Sequence, residues 1–215
     1  MDSILFAQLP SLFESVGALF NEKKEELCAM DAKLGDGDLG LTMRKGFGSL
    51  PDILRAETEA ADGDAGKLLM KAGMKMASVV PSTMGFLMSS GIMEGGKALR
   101  GKGEIRGTEM AMYLQGFAAG VEKRGKCKLG QRTLFDAIAP AADAARRCAE
   151  GTDARLPEVL RAALDAAAQG VEATRTMVPV FGKAAVHAAQ CAGVADQGAL
   201  AGFYMIQGMC RYVCD

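Results

Sequence analysis

Residues 9–20 read LPSLFESVGALF, and this stretch indicates the class of fold. Its large apolar side chains recur at spacings of three and four residues, which places them on one face of an α-helix. They are Leu9, Leu12, Phe13, Val16 and Phe20. Pro10 suits the first turn of such a helix, because a missing N–H costs nothing there. The stretch therefore predicts an amphipathic helix with one buried face.

The same spacing recurs along the rest of the chain, at residues 110–121 and 200–209. Alanine-rich stretches also favour helix by intrinsic propensity, and no convincing run of alternating β-branched residues occurs. We predict about eight helices, the seventh of them with a break near Gly170 or Pro179 left open. They cover residues 4–28, 38–49, 66–79, 82–98, 108–122, 133–149, 156–190 and 197–213.

Short links between these segments favour antiparallel neighbours. A chain of 215 residues is long enough for one well-buried domain. The predicted fold is therefore all-α, with residues 1–215 forming one barrel or bundle of about eight antiparallel helices. A net charge of -1 gives no support for a nucleic-acid partner. No apolar run is long enough to cross a membrane. Without a secretory signal we expect a cytoplasmic protein whose six cysteines are reduced.

An acidic segment follows the first helix and reads DAKLGDGD over residues 31–38. Its carboxylates, on Asp31, Asp36 and Asp38, repel one another unless a cation or hydrogen bonds compensate. The glycines on both sides of Asp36 allow the backbone to bend so that the oxygens converge on one point. Oxygen ligands suit Mg²⁺ where phosphates supply the remaining ligands. The segment therefore predicts a magnesium–phosphate site.

Two other interpretations of the acidic segment stay open. The spacing from Gly35 to Gly40 matches the dinucleotide-binding GxGxxG fingerprint. That motif follows a strand, however, and residues 22–30 look like the end of a charged helix. The second interpretation is a solvated acidic turn in which Asp38 caps the next helix. Neither an EF-hand loop nor a P-loop motif is present.

Several later loops also carry groups suited to phosphate. Ser82 and Thr83 precede an apolar helix, so hydroxyl and N–H groups gather at its positive end. Thr133 and Asp136 have the spacing of a capping box. The structural alternative for each loop is ordinary helix capping, or an exposed lysine in the case of Lys183. At one rim of an up-and-down bundle these loops would meet; they cover residues 81–85, 125–126, 130–136, 182–183 and 196–198.

Taken in order, these segments resemble the nucleotide-binding L subunit, or L domain, of the dihydroxyacetone kinase family (the DhaL or DAK2 type). The resemblance runs through nearly the whole chain, beginning with the acidic segment from Asp31 to Gly40. The motifs that follow are Arg124-Gly125-Lys126, Gly130-x-x-Thr133-Leu134-x-Asp136-Ala137, Glu172-Ala173-Thr174-Arg175-x-Met177, Gly182-Lys183-Ala184 and Asp196-x-Gly198-Ala199.

The resemblance implies a barrel of eight antiparallel α-helices with ATP or ADP at one end. It implies that Asp31, Asp36 and Asp38 hold two Mg²⁺ ions that bridge the nucleotide phosphates. Gly125 and Leu134 would border adenine and ribose. The full set of implied nucleotide-binding residues is Leu39, Gly40, Leu41, Thr42, Ser82, Thr83, Gly125, Thr133, Leu134, Lys183, Asp196, Gln197 and Gly198.

Four positions depart from the family pattern. Leu39 stands where a histidine is usual, Lys183 replaces an arginine, Gln197 replaces a proline, and Met84 replaces a small residue. Lysine offers a point charge where arginine offers a bidentate fork. These departures do not change the three aspartates expected to bind metal. The identity of the sugar acceptor and that of the phosphoryl donor are left open. The departures suggest a divergent branch that acts on another short sugar.

In that family a separate K subunit or domain holds the acceptor through a covalent bond to a histidine. The single histidine of this chain, His187, is interpreted as a packing or surface residue. The resemblance therefore implies a kinase subunit that is inactive without a K-type partner. It would pass a phosphoryl group from ATP, or from bound ADP recharged by a phosphotransferase-system phosphocarrier. The alternative is a non-catalytic nucleotide-binding regulatory module that binds a partner protein, and a homodimer is left open.

Overall fold

The computed structural model describes residues 1–150, 154–186 and 188–214. Two short strands, β1 (Ile4–Leu5) and β2 (Glu104–Ile105), pair antiparallel, with Ile4 opposite Ile105. The described residues form ten α-helices. They are α1 (Leu9–Glu22), α2 (Lys24–Asp31), α3 (Leu39–Ala61), α4 (Ala65–Val79), α5 (Thr83–Ala98), α6 (Gly107–Gly125), α7 (Phe135–Ala149), α8 (Leu156–Ala173), α9 (Gly182–Val186) and α10 (Gln197–Cys214).

Eight of these helices pack side by side in a closed ring, in the order α1, α3, α4, α5, α6, α7, α8 and α10, and α10 packs back against α1. Neighbours run antiparallel, as the contacts between α5 and α6 illustrate: Gly91 lies against Phe117, and Gly95 against Tyr113. Because direction alternates around the ring, α3, α5, α7 and α10 all begin at one rim. The remaining four begin at the opposite rim.

One hydrophobic core fills the inside of this ring. Phe13, Phe20, Phe47 and Phe117 are among its largest fully buried side chains, and the rings of Phe20 and Phe47 lie 4.6 Å apart. Burial of such aromatic side chains dominates the stability of a helical core. The predicted all-α fold is confirmed, in the form of a packed bundle rather than an open barrel. In the described part of the chain, no helix is both long and apolar enough to span a bilayer.

Two predicted helices have the wrong bounds, and a third is broken where a break was left open. The first helix is not continuous over 4–28: it begins after β1 and a 3₁₀ turn, and α2 follows it after a break at Lys23. The second continues to Ala61 with Pro51, a buried residue, in its interior. The seventh is interrupted, as the break left open near Gly170 allowed: α8 ends at Ala173, and α9 begins only at Gly182. His187 lies outside the described residues, so its interpretation stays a prediction.

Candidate functional site

A cleft opens at the rim where α3, α5, α7 and α10 begin. We call its larger part the acidic cavity, with a volume of about 430 Å³. A neighbouring apolar cavity has a volume of about 360 Å³. The two are lined in common by Thr83, Leu87, Thr133, Leu134 and Phe181, so they form one continuous cleft.

The acidic cavity is lined by the first residues of α3, α5 and α10 and by the turn before α7. The first N–H groups of a helix have no partner within the helix, and the helix dipole adds positive partial charge at the same end. Four such ends facing one cavity favour a negatively charged ligand there. This convergence follows directly from the alternating helix directions.

Asp31 anchors the acidic segment. One of its carboxylate oxygens accepts the N–H groups of Gly37 (2.9 Å), Asp38 (3.1 Å) and Leu39 (3.3 Å). The other accepts from the Gln197 side-chain amide at 3.3 Å. The side chain of Asp38, at the N-cap position of α3, makes no capping hydrogen bond. The capping interpretation therefore named the wrong residue, because Asp31 supplies the acceptor.

Asp36 and Asp38 are exposed, and both line the acidic cavity. Asp36 forms an ion pair with Lys183, and this pairing raises the pKa of the lysine. Within the described residues, no three His, Cys, Asp or Glu side chains are close enough to hold a metal ion. The expected convergence of three carboxylates on one point is therefore not observed. The donor set still fits Mg²⁺, which commonly takes one or two carboxylates and completes its shell with phosphate and water.

Ser82 and Thr83 begin α5 at the same cavity. The Ser82 hydroxyl accepts the N–H of Gly85 at 3.0 Å, which is the capping arrangement. Thr83 is exposed and borders both parts of the cleft. Capping thus accounts for the Ser82 oxygen, whereas Thr83 is an exposed residue that lines the cleft.

The turn before α7 is held by a buried carboxylate. Asp136 accepts the N–H of Gly130 at 2.6 Å and that of Thr133 at 2.7 Å. The Thr133 hydroxyl accepts the N–H of Phe135 at 3.2 Å. The spacing of Thr133 and Asp136 therefore corresponds to real capping contacts, and these contacts fix the wall shared by the two cavities.

Asp196 caps α10 by accepting the N–H of Ala199 at 2.8 Å, and its own N–H donates to the Thr174 hydroxyl at 2.8 Å. Burial raises the pKa of this carboxyl to about 6, although the hydrogen bond from Ala199 and the charge of Arg132 act in the opposite direction. Arg132 lies 3.4 Å from Asp196 and also lines the acidic cavity. Asp196 is thus a structural carboxylate at the edge of the site.

The cleft brings together all the sequence-predicted site residues except Gly40 and Leu41. Gly40 is buried against α2, where a Cβ atom would overlap the Lys24 carbonyl oxygen, so it serves helix packing. Leu41 is 48% exposed and borders neither cavity. The ligand roles of the other residues stay predictions. Sequence reasoning missed several lining residues: Met84, Phe86, Leu87, Val121, Cys127, Arg132 and Phe181.

Arg132 is the missed residue that the sequence could have signalled, because it is a cation between the two ends of the Gly130–Thr133 motif. The apolar lining residues carry no such signal. Their helical spacing is the same as that of ordinary core positions, and only the tertiary arrangement opens a cavity beside them.

Comparison with known proteins agrees with this geometry. Residues 33–211 match the DAK2 domain family. The chain is 28% identical over 205 residues to the ADP-binding subunit DhaL of the PEP-dependent dihydroxyacetone kinase of Escherichia coli (strain K12), covering 95% of this chain and 96% of that subunit. It is 33% identical over 140 residues to the ADP-binding subunit DhaL of PEP-dependent dihydroxyacetone kinase 2 of Listeria innocua, which is 65% of this chain and 63% of that subunit.

The dihydroxyacetone kinase of C. freundii, solved in complex with AMP-PNP and Mg²⁺, superposes with a TM-score of 0.70 at 26% identity. The match covers 96% of this chain but only 34% of the kinase chain. The similarity therefore extends over essentially this whole bundle and over one part of the larger protein. On the extent of the family match, this chain belongs to the DAK2 domain family and is of the DhaL type.

Proposed function

We propose that this chain is the nucleotide- and Mg²⁺-binding subunit of a dihydroxyacetone kinase-like phosphotransferase. The observation that carries the proposal is the two-part cleft. Its apolar part suits a nucleobase, and its acidic part combines four helix N-termini with two exposed carboxylates. A nucleotide needs both environments side by side. The E. coli and L. innocua relatives are named as ADP-binding subunits, and the C. freundii kinase was solved with AMP-PNP and Mg²⁺.

In phosphoryl transfer the protein mainly positions groups and neutralises charge. In this proposal the residues of the cleft have separate roles in these two tasks. Thr42 and Thr83 would offer hydroxyl groups to the phosphates, and α3 and α5 both begin at the same cavity. Asp36 and Asp38, with Asp31 behind them, would hold Mg²⁺, two ions by analogy with the family. When bound, the metal neutralises phosphate charge during transfer.

Lys183 has a further part in this proposal. Its ammonium group is paired with Asp36 at the cavity edge. A metal ion on Asp36 would compete with the lysine for that carboxylate, which would allow the ammonium group to approach a phosphate oxygen. Both side chains are well exposed, so the pair contributes little to stability and separates readily.

A partner subunit is part of the proposal, because the resemblance to the family implies that the sugar is held on a separate K-type subunit, and no histidine is among the described residues that line the cleft. We use the term mouth face for the exposed apolar side chains on the segments around the cleft opening: Leu41, Leu129, Val178, Val180, Phe181 and Val186. Large exposed apolar groups concentrated in this way are typical of protein interaction sites. The partner would be a K-type sugar-binding subunit, and a phosphocarrier that recharges bound ADP would approach the same opening.

Calorimetric titration of the purified chain with Mg–ADP tests the metal site. We expect Asp36→Asn and Asp38→Asn each to weaken Mg–ADP binding about tenfold or more, because the metal loses a charged ligand. Asp165→Asn is the matched control, since Asp165 is an exposed aspartate of α8 away from the cleft. Unchanged Mg–ADP affinity in both cleft variants would refute the proposed metal site.

A further inference from the structure

Arg132 is a buried cation in the wall of the acidic cavity, and none of the proposed ligand roles accounts for it. Its side chain is 0% exposed. It lines the acidic cavity but not the apolar cavity. A guanidinium group stays charged at any pH that a protein tolerates, so its burial has to be compensated by acceptors or by a nearby anion.

Among the described residues, the hydrogen bonds of the Arg132 guanidinium go to the segment that leads into α10. One terminal nitrogen donates to Asp196 at 3.4 Å. The other donates to the carbonyl oxygens of Val194 at 3.0 Å and Ala195 at 3.4 Å. The Nε–H group is buried and has no hydrogen-bond partner in the part of the chain that the structure describes. The guanidinium thus ties the turn before α7 to the start of α10 and keeps one donor unused.

The backbone at Arg132 is also unusual. Its φ of 60° lies in the left-handed region, which L-residues other than glycine, asparagine and aspartate rarely adopt. The other described non-glycine residues with positive φ, Asp62 and Lys126, are the C-caps of α3 and α6, where this conformation is common. Arg132 ends no helix. Unfavourable backbone geometry persists where the surroundings over-determine it, and it clusters at functional sites.

The segment that Arg132 holds leads directly to ligand space. Asp196, Gln197 and Gly198 line the acidic cavity, and Gln197 donates to Asp31, the anchor of the acidic segment. A continuous set of polar contacts therefore runs from Arg132 through the start of α10 to the metal aspartates. None of these residues lines the apolar cavity.

We propose that Arg132 is a positioning residue for the nucleotide phosphates, holding the N-terminal end of α10 against the acidic cavity. The inference rests on the proposed function and adds to it a residue that acts only on the phosphate end. It predicts that loss of the guanidinium weakens binding of the phosphates and leaves binding of the nucleoside unchanged. A residue needed only for folding would affect both.

The test compares Mg–ADP with adenosine, each titrated into the full chain and followed by calorimetry or NMR. Arg132→Met keeps the apolar stem and removes the charge. We expect about a tenfold or greater loss of Mg–ADP affinity, in line with the removal of one partner of a buried charge pair, and less than about a twofold change for adenosine. Equal losses for both ligands, or unchanged Mg–ADP affinity, would overturn the proposal.

Two control variants show what an unselective loss of affinity and an unchanged affinity look like in the same titrations. Arg124→Met alters the apolar cavity, where Arg124 lies 5.0 Å above the Phe86 ring, and should weaken adenosine and Mg–ADP alike. Arg161→Met, at an exposed position of α8, should change neither.

If Arg132→Met does not fold, Arg132→Lys replaces it. A single ammonium group cannot bridge the same acceptors, so the ADP-selective loss is still expected, and its absence would overturn the proposal. A wild-type chain that binds neither ligand would refute the proposed function itself.

Discussion

Five aspartates line or support the cleft, and their surroundings divide them into two groups. Asp31, Asp136 and Asp196 are buried and accept backbone N–H groups of the loops around them. Asp36 and Asp38 are exposed and accept none in the described contacts. The buried aspartates therefore build the loops, and the exposed ones are available to a cation. Residue type alone does not separate the two roles, because it is burial that decides them.

Asp196 leads to a pH prediction at this scale. Its pKa is raised from 3.8 to about 6 in the folded chain. The folded state therefore binds this proton more tightly than the unfolded state, so the contribution of Asp196 to stability is largest below pH 4 and falls as the pH rises to about 6. Over that window the loss amounts to about 3 kcal/mol.

Asp196→Asn cannot titrate, so comparing it with the wild type isolates this effect from that of the other carboxylates. We expect the unfolding free energy of the variant, minus that of the wild type, to increase between pH 4 and pH 7. Urea unfolding at several pH values measures this difference. A difference that stays constant with pH would show that burial does not shift the Asp196 carboxyl as inferred.

At the scale of elements, the sequence predicted helices well where apolar residues repeat over several turns, as in α6 and α10. The sequence did not predict the elements correctly where tertiary contacts determine their pairing or their bounds. β1 and β2 pair residues about one hundred positions apart, which no local pattern reveals. Pro51 lies inside α3 and is buried, although proline normally ends a helix, so the local sequence signal alone misplaced the end of this helix.

The candidate site shows the same limit. Motif spacing placed Ser82, Thr133 and Gln197 at one rim, because each begins or precedes a helix that starts there. Phe181 could not be found in this way, since its position over both cavities depends on the path of the chain between α8 and α9. Gly40 was assigned to the ligand through its motif, whereas its lack of a side chain serves the packing of α3 on α2.

The packing of α2 on α3 can be tested with two glycines of the same helix. A methyl group on Gly40 would overlap the Lys24 carbonyl oxygen, whereas one on Gly48 meets no atom within 4 Å. We expect Gly40→Ala to destabilise the fold by about 1–3 kcal/mol through overpacking. Gly48→Ala should stabilise it by about 0.5–1 kcal/mol, because alanine favours helix. Denaturant unfolding measures both, and equal effects in the two variants would contradict the close helix contact.

At the scale of the whole molecule, topology accounts for where the chemistry lies. Alternating helix directions gather four N-termini at one rim and leave the C-termini of the same helices at the other. The mouth face surrounds that first rim, with Val186 80% and Leu129 61% exposed. The cleft that we propose for the nucleotide therefore opens directly onto an apolar surface. A separate protein that delivers an acceptor would have to cover that surface, which would also exclude water from the transferred phosphoryl group.

Substitution on the mouth face distinguishes between the two candidate functions of the chain, an enzyme subunit and a regulatory module. We expect the chain to transfer phosphate from Mg–ATP to a short sugar only when a K-type sugar-binding subunit is present, as monitored by ³¹P NMR. Val186→Asp should weaken that complex about tenfold or more, because a charge enters an apolar contact, while Mg–ADP binding stays unchanged. Met74→Asp is the control, because Met74 is 62% exposed on α4 and lies outside the mouth face.

Full transfer by Val186→Asp would exclude this face as the docking site. Tight Mg–ADP binding without transfer to any short keto or aldo sugar, whichever K-type partner is added, would instead favour a regulatory module.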